Sequence, residues 1–206
     1  MKRLLNRSLN SNQRGYSLVE LSVALSIVAV VMVAALMGTR QILQTNNVNN
    51  QIKDVAIVIQ KIQRQYLKQS NTSTVSVDNL APLGVWPNER ASSLNNIWSV
   101  RGIIGGTSEY VFTNKSTVGS LNMNSGIIYT LHNVPVSACA DIILGLDPLS
   151  FAIYAGENIT PPGDGTTPTT TAVKAADAIA LTPAKLATAC APNTSNLVQI
   201  SAFVRL

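Results

Sequence analysis

Only a few side chains in this sequence combine a reactive or charged group with an informative position. Glu20 is the one acidic residue between positions 16 and 37. Cys139 and Cys190 are the two cysteines, and His132 is the one histidine. A structural zinc site needs about four Cys or His ligands at short spacings, which this set does not supply. We therefore expect no metal, no cofactor and no catalytic site, and we predict that the chain is not an enzyme.

The two cysteines predict a disulfide if this part of the chain is exported to an oxidising compartment. In the chain-entropy model, closing so long a loop stabilises the folded state by about 4 kcal/mol. Two unrelated buried thiols are the alternative interpretation. A segment rich in Pro, Gly and Thr, residues 159–171, lies between the cysteines, so a bridge would bracket an exposed loop.

Positive charge is concentrated at the N-terminus. The chain has 15 basic and 10 acidic residues, and residues 1–15 contain four of the basic ones, Lys2, Arg3, Arg7 and Arg14, with no acid. Subtracting those four leaves 11 basic against 10 acidic residues. The remainder is nearly neutral and offers no basic surface to a phosphate backbone, so we expect no nucleic-acid partner.

A continuous apolar run follows the basic segment. Residues 16–38 are long enough to span a hydrocarbon core of about 30 Å as a helix. Basic residues before the run outnumber those directly after it, where only Arg40 stands close. This asymmetry favours a single-pass arrangement with a cytoplasmic N-terminus and the C-terminal part outside.

Residues 39–70 predict an amphipathic continuation of the same helix, from about 17 to 69. Apolar residues follow one another at steps of four and three, namely Val48, Ile52, Val55, Ile59, Ile62 and Tyr66. The helix is weakest at Gly38 and at the asparagines between 46 and 50. The stripe fits a coiled-coil seam as an alternative, but it is short, and packing on a sheet is preferred.

Residues 71–206 change to a pattern of short strands and turns, which predicts a globular α/β domain. Runs of β-branched and aromatic residues predict strands at 97–100, 109–113, 126–131, 151–154 and 197–204. Residues 134–144 predict a short helix with Pro135 near its first turn.

The segment RGYSLVEL at 14–21, followed by the apolar run, resembles the N-terminus of type IV pilins and of the pseudopilins of type II secretion. The resemblance implies cleavage by a prepilin peptidase between Gly15 and Tyr16. It also implies methylation of the new amino group of Tyr16 and places Glu20 fifth in the mature chain. Tyr16 stands where phenylalanine, methionine or leucine is commoner, which favours a minor or specialised subunit.

The same resemblance implies a role for Glu20. A carboxylate inside the membrane costs a few kcal/mol, so it needs a partner. The cationic amine of Tyr16 on a neighbouring copy would pair with Glu20 in a growing filament, and an apolar environment strengthens that attraction.

The resemblance further implies an α+β fold, in which a long N-terminal helix packs on an antiparallel sheet and a C-terminal region is bracketed by the Cys139–Cys190 disulfide. The leader length and the large C-terminal section are closest to the type IVb class. The implied partners are other copies of the chain, the prepilin peptidase and a pilus assembly platform in the inner membrane. The subunit would be held in the inner membrane before assembly and in an extracellular pilus on the cell surface afterwards.

We therefore interpret the chain as a structural subunit of a type IVb-like pilus used in adhesion, aggregation or conjugative mating. A pseudopilin of a type II secretion system is one alternative. The other is an uncleaved, signal-anchored extracytoplasmic binding module, which would tolerate loss of Glu20.

Overall fold

The computed structural model describes residues 17–66, 75–95, 97–157, 172–178, 180–191 and 194–206. The chain divides into two compact units, Met1–Ile42 and Leu43–Leu206. Helix α1, Leu18–Tyr66, contributes residues to both units. The basic leader 1–15 and the segment 159–171 lie outside the described residues.

Helix α1 follows the prediction closely and includes Gly38 and the asparagines at which we expected weakness. Its start is capped by Ser17, whose carbonyl accepts from the Leu21 amide at 3.0 Å and whose hydroxyl accepts from the Val19 amide at 3.3 Å. A serine oxygen at this position satisfies one of the amides that the first helical turn leaves without a partner.

The described part of the second unit contains seven strands: β1 Ala91–Leu94, β2 Ile97–Arg101, β3 Ser108–Thr113, β4 Gly126–Pro135, β5 Ala152–Gly156, β6 Ala172–Lys174 and β7 Leu197–Arg205. They form one sheet in the order β1-β2-β3-β4-β7-β5-β6, and every pair of neighbours is antiparallel. The C-terminal strand β7 lies between β4 and β5, so the end of the chain is central to the sheet.

Each of the five strands predicted from the sequence is present, with bounds that differ by a few residues. The two strands that the sequence did not reveal, β1 and β6, lie at the two edges of the sheet. The sequences of β1, ASSL, and β6, AVK, are too short and too poor in bulky residues to show a strand pattern.

The main core lies between α1 and one face of the sheet, which confirms sheet packing over the coiled-coil alternative. The buried residues of α1 are Val48, Gln51, Val55, Val58, Ile59, Ile62 and Tyr66. They share one core cluster with β4 and β7 residues such as Tyr129 and Ile200. Ile52, which we placed in the buried stripe, is only half-buried, and Gln51 is buried beside it.

The described residues of this unit also form three shorter α-helices, α2 Val77–Leu80, α3 Val136–Leu146 and α4 Pro183–Ala189, and two 3-10 turns at Ala81–Leu83 and Asp147–Leu149. Helix α3 is the predicted short helix, and Pro135 is its N-cap residue. A Cβ atom built on Gly145 of α3 would lie 2.4 Å from Cδ1 of Ile52, so α3 and α1 touch at a point that admits only glycine without adjustment. Ile52 therefore packs against α3 at the margin of the core, and it is not fully buried as we had expected.

Candidate functional site

No other described residue covers the apolar part of α1 in the first unit. Every described residue from 18 to 42 is exposed, with Leu18 at 85% and Val30 at 70%. An 18-residue window of this helix has a mean hydropathy of 2.5 and none of it is buried. Apolar surface of this extent is stable in a lipid bilayer or against other chains, and not in water.

Glu20 lies in the first turn of this helix and is exposed. The N-terminus of a helix carries a partial positive charge, which favours an anion there by a fraction of a kcal/mol. Among the described residues, no hydrogen-bond donor or cation pairs with the Glu20 carboxylate. A stronger partner must therefore come from outside the described residues.

The hydroxyl groups of the same helix are satisfied locally. Ser22 Oγ donates to the carbonyl of Val19 at 2.8 Å, and Ser26 Oγ donates to the carbonyl of Val23 at 2.7 Å. Since their hydroxyls bond back to their own helix, the Glu20 carboxylate is the group of this segment that needs a partner.

Gly15 and Tyr16, which form the predicted cleavage site, lie outside the described residues. Their roles in cleavage and methylation stay predictions, and so does the pairing of Glu20 with the amine of Tyr16.

The second unit holds a carboxylate that is fully satisfied. Glu109 on β3 is 0% exposed and faces α1. Its Oε1 accepts a hydrogen bond from Gln51 Nε2 at 2.8 Å, and its Oε2 accepts one from Trp86 Nε1 at 2.8 Å. Arg90 and the Tyr129 hydroxyl donate to it as well, through very short contacts. A buried carboxylate with four donors is the arrangement that makes burial of a charge tolerable.

This Glu109 cluster extends to the polar atoms around it. Arg90 forms an ion pair with Asp54 of α1 at 2.5 Å, and its Nε donates to the carbonyl of Arg101 at 2.8 Å. Gln51 Oε1 accepts from the amide of Ile103 at 2.6 Å. The cluster therefore joins the second half of α1 to the turn between β2 and β3 and to the sheet.

The protonation states of the cluster follow from burial and charge. Burial raises the pKa of Glu109, while Arg90 and the donated hydrogen bonds from Tyr129, Gln51 and Trp86 oppose that rise. Burial and the neighbouring carboxylate raise the pKa of Tyr129 well above its usual value, so its hydroxyl remains a donor. Burial alone would lower the pKa of Arg90, but the charges of Glu109 and Asp54 outweigh it and raise that pKa.

Sequence reasoning missed this cluster, although one signal was available. Glu109, Val111 and Thr113 are buried and alternate along β3 with residues that are only partly buried. The glutamate therefore lies on the inward side of a predicted strand. An acid on the buried side of a strand requires partners, but its partners come from positions 51, 86, 90 and 129, which no local pattern connects.

Cys139 and Cys190 form the disulfide that the sequence analysis favoured, with their Cα atoms 5.7 Å apart. Cys139 lies on α3 and is 0% exposed, and Cys190 follows the last turn of α4. The bridge spans 51 positions along the chain and encloses the segment 159–171 in sequence.

The end of α3 is held by a buried lysine of the edge strand β6. Lys174 Nζ donates to the carbonyls of Asp147 and Ser150, each at 2.9 Å, and lies 2.8 Å from Oδ1 of Asp147. The disulfide and this lysine together attach α3 to the far edge of the sheet.

His132 lies on β4, where its ring meets that of Tyr110 edge-on with centroids 4.9 Å apart. Burial lowers its pKa, and its Nε2 is buried without a hydrogen-bond partner. Because His132 and Glu109 project from opposite faces of the sheet, they do not form one site.

Comparisons with known proteins agree with this arrangement. The family model described as the prokaryotic N-terminal methylation motif matches residues 10–36. No curated protein matches the chain at a significant level.

Two pilin structures are similar to this one. The structure of a type IVb pilin from Salmonella typhi aligns with 75% of this chain and 97% of its own, at a TM-score of 0.51 and 15% identity. TcpA, a type IV pilin from the Vibrio cholerae El Tor biotype, aligns with 78% of this chain and 98% of its own, at a TM-score of 0.46 and 12% identity. At such identities, the Salmonella typhi structure supports the fold and nothing finer.

The predicted α+β fold is thereby confirmed. The methylation motif at residues 10–36 includes the first, apolar part of α1, and the second half of α1 belongs to a domain with a pilin-like fold. The chain therefore has a pilin-like fold and carries a prokaryotic N-terminal methylation motif.

Proposed function

We propose that this chain is a prepilin whose mature form polymerises through its N-terminal helix into a type IVb-like pilus. The observation that carries the proposal is the apolar helix from 18 to 42, which bears one carboxylate and is exposed along its whole length. The methylation motif, which matches residues 10–36 and so includes much of this helix, supports the same conclusion.

Processing is the first step of the proposal. The prepilin peptidase cuts between Gly15 and Tyr16 at the cytoplasmic face and methylates the new amine. The mature subunit then consists of an apolar helix at 16–38, its amphipathic continuation at 39–70 and a globular domain at 71–206. The apolar helix holds the subunit in the inner membrane until the assembly platform adds it to the filament.

Pairing is the second step. Cleavage creates a cation at Tyr16, and Glu20 lies four residues along on a helix that supplies no cation to it. In a filament the amine of one subunit meets the Glu20 carboxylate of its neighbour among apolar side chains. The pair fixes the axial register, because any other position leaves a charge alone in an apolar environment.

The disulfide-bracketed region and the similarity to a type IVb pilin favour a pilus over a secretion pseudopilus. The filament would serve adhesion, aggregation or conjugative mating. Fibres visible on the cell surface by electron microscopy, and lost on deletion of the gene, would distinguish a pilus from a pseudopilus that stays within the envelope.

Intact mass and N-terminal sequencing of the protein from its native host test the processing step. A chain that begins at Tyr16, carries one added methyl group and lacks two hydrogens at the cysteines is expected. A chain that still begins at Met1 would contradict the proposal and would favour an uncleaved anchored module.

A further inference from the structure

A cavity of about 510 Å³ is lined by residues of β1, β2 and β3 and of the turn between β2 and β3, among them the buried Val100 and Thr107. Val100 is buried in the core with α1, so alternation along β2 turns Ser99 and Arg101 to the opposite face. The strand register places Ser92 beside Ser99 and Ser108 beside Arg101. These four side chains line the cavity together with the turn at Gly105 and Gly106.

The guanidinium of Arg101 forms no ion pair with the described residues. Its backbone amide donates to the carbonyl of Arg90 at 2.9 Å, which fixes the chain there. Its exposed guanidinium has no carboxylate or carbonyl partner among the described residues, whereas that of Arg90 pairs with two acids. An unpaired guanidinium beside a cavity binds a carboxylate through two parallel hydrogen bonds.

The cavity is open to solvent, and two serine hydroxyls contribute to its wall. The hydroxyls of Ser92 and Ser99 lie 3.1 Å apart, and each can donate and accept. Gly106 has φ +85°, which lets the turn close tightly, and a Cβ at Gly105 or Gly106 would meet nothing within 4 Å. The turn therefore places no side chain over the cavity mouth.

An aromatic surface borders this cavity on the same face. Ser108 is the register partner of His132, and Tyr110 follows Ser108 by two residues on β3. The Tyr110 ring stacks with Phe112 at an interplanar angle of 6° and meets His132 edge-on. Tyr110 is half-exposed, and the buried Nε2 of His132 has no partner.

We propose that this cavity and its aromatic border bind an acidic saccharide. The sugar carboxylate pairs with the Arg101 guanidinium, its hydroxyls bond to the serine hydroxyls, and the apolar face of its ring lies on Tyr110. A simple anion would use Arg101 but not the ring, and a neutral sugar would not need the cation. The site requires neither cleavage nor assembly of the chain.

Ligand-observed NMR and calorimetric titration of the full chain in detergent micelles test the proposal. The probes are D-glucuronate, D-glucose and inorganic sulfate, and the variants are Arg101→Gln and Arg64→Gln. Arg64 is also exposed and lies in the last turn of α1, so it is a matched control. We expect saturable glucuronate binding that weakens by about tenfold or more in Arg101→Gln only, as loss of a charge-assisted hydrogen bond predicts.

Tyr110 supplies a second comparison. Tyr110→Phe should keep glucuronate binding, because the ring remains, and Tyr110→Ala should weaken it at a temperature where thermal denaturation shows both variants to be folded. Sulfate binding as strong as glucuronate, or equal loss in Arg64→Gln and Arg101→Gln, would overturn the proposal. Glucose binding as strong as glucuronate, or no saturable glucuronate binding, would overturn it as well.

Discussion

Glu109 and Glu20 differ in whether the described part of the chain supplies hydrogen-bond donors to the carboxylate. Glu109 is fully buried in the domain and receives hydrogen bonds from four side chains of the same chain. Glu20 lies on an apolar helix and receives none from the described residues. A carboxylate removed from water needs a partner, so the partner of Glu20 must lie outside the described residues, and we propose that it is the Tyr16 amine of another copy.

The two halves of α1 show the same contrast. From Val48 to Tyr66 the apolar stripe is buried by the domain of its own chain. From Leu18 to Ile42 the apolar surface is left open. Folding buries the apolar surface of the second half, and we propose that the membrane and then the assembled filament bury that of the first half.

The largest effect is expected for Glu20→Ala. Cleavage should continue, because the substituted residue lies beyond Gly15 and Tyr16, but fibres should be absent or strongly reduced, since the Tyr16 amine would be left unpaired. Immunoblotting for the processed form and electron microscopy of cells measure the two outcomes. Ser22→Ala is the matched control, because the Ser22 hydroxyl bonds only within its own helix. Normal fibres from Glu20→Ala would show that Glu20, unlike Glu109, does not need a partner.

Glu109→Gln should leave assembly chemistry untouched but destabilise the domain by about 3 kcal/mol, because Arg90 loses one of its buried acids. Chemical denaturation of the full chain in detergent measures the free energy of unfolding. Glu89→Gln removes an exposed carboxylate and should change that free energy by less than about 0.5 kcal/mol.

A double-mutant cycle with Arg90→Met then isolates the interaction within the Glu109 cluster. An interaction free energy near zero would mean that the two charges are independent. In that case, the ion pair of Glu109 with Arg90 would not be what distinguishes Glu109 from Glu20.

Gly145→Ala tests how tightly the domain half of α1 is packed. The added methyl group would lie within 2.8 Å of three side-chain carbons of Ile52, so we expect destabilisation of about 1–3 kcal/mol. Gly105→Ala is the control, because a Cβ there meets nothing within 4 Å. Equal stability of the two variants would show that Ile52 can move away and that α3 does not fix α1.

The smallest effect concerns His132. Burial lowers its pKa in the folded chain, whereas the unfolded chain has a pKa of about 6.5. Acidification through about pH 6.5 therefore protonates the unfolded chain preferentially, and stability should fall as pH decreases. The difference in urea midpoint between the wild type and His132→Gln, followed from pH 8 to pH 5, measures this contribution. A difference that does not change with pH would contradict the assigned burial.

Local patterns were sufficient for the features that depend on one stretch of chain. The long helix, its buried stripe, five strands and α3 follow from periodicity, and the N-terminal motif follows from the order of RGYSLVEL. These features are set by residues that are near one another in sequence, so they could be predicted.

Only the tertiary structure decided which distant residues meet. It placed Gln51 in the core beside Glu109 and brought Ile52 against Gly145. It also made edge strands of Ala91–Leu94 and Ala172–Lys174, which pair because neighbouring strands offer free amides and carbonyls and not because of their own side chains. The sequence by itself therefore determined the helix and the motif at its start. The partners of each buried polar group depended on contacts that form between distant parts of the chain only when it folds.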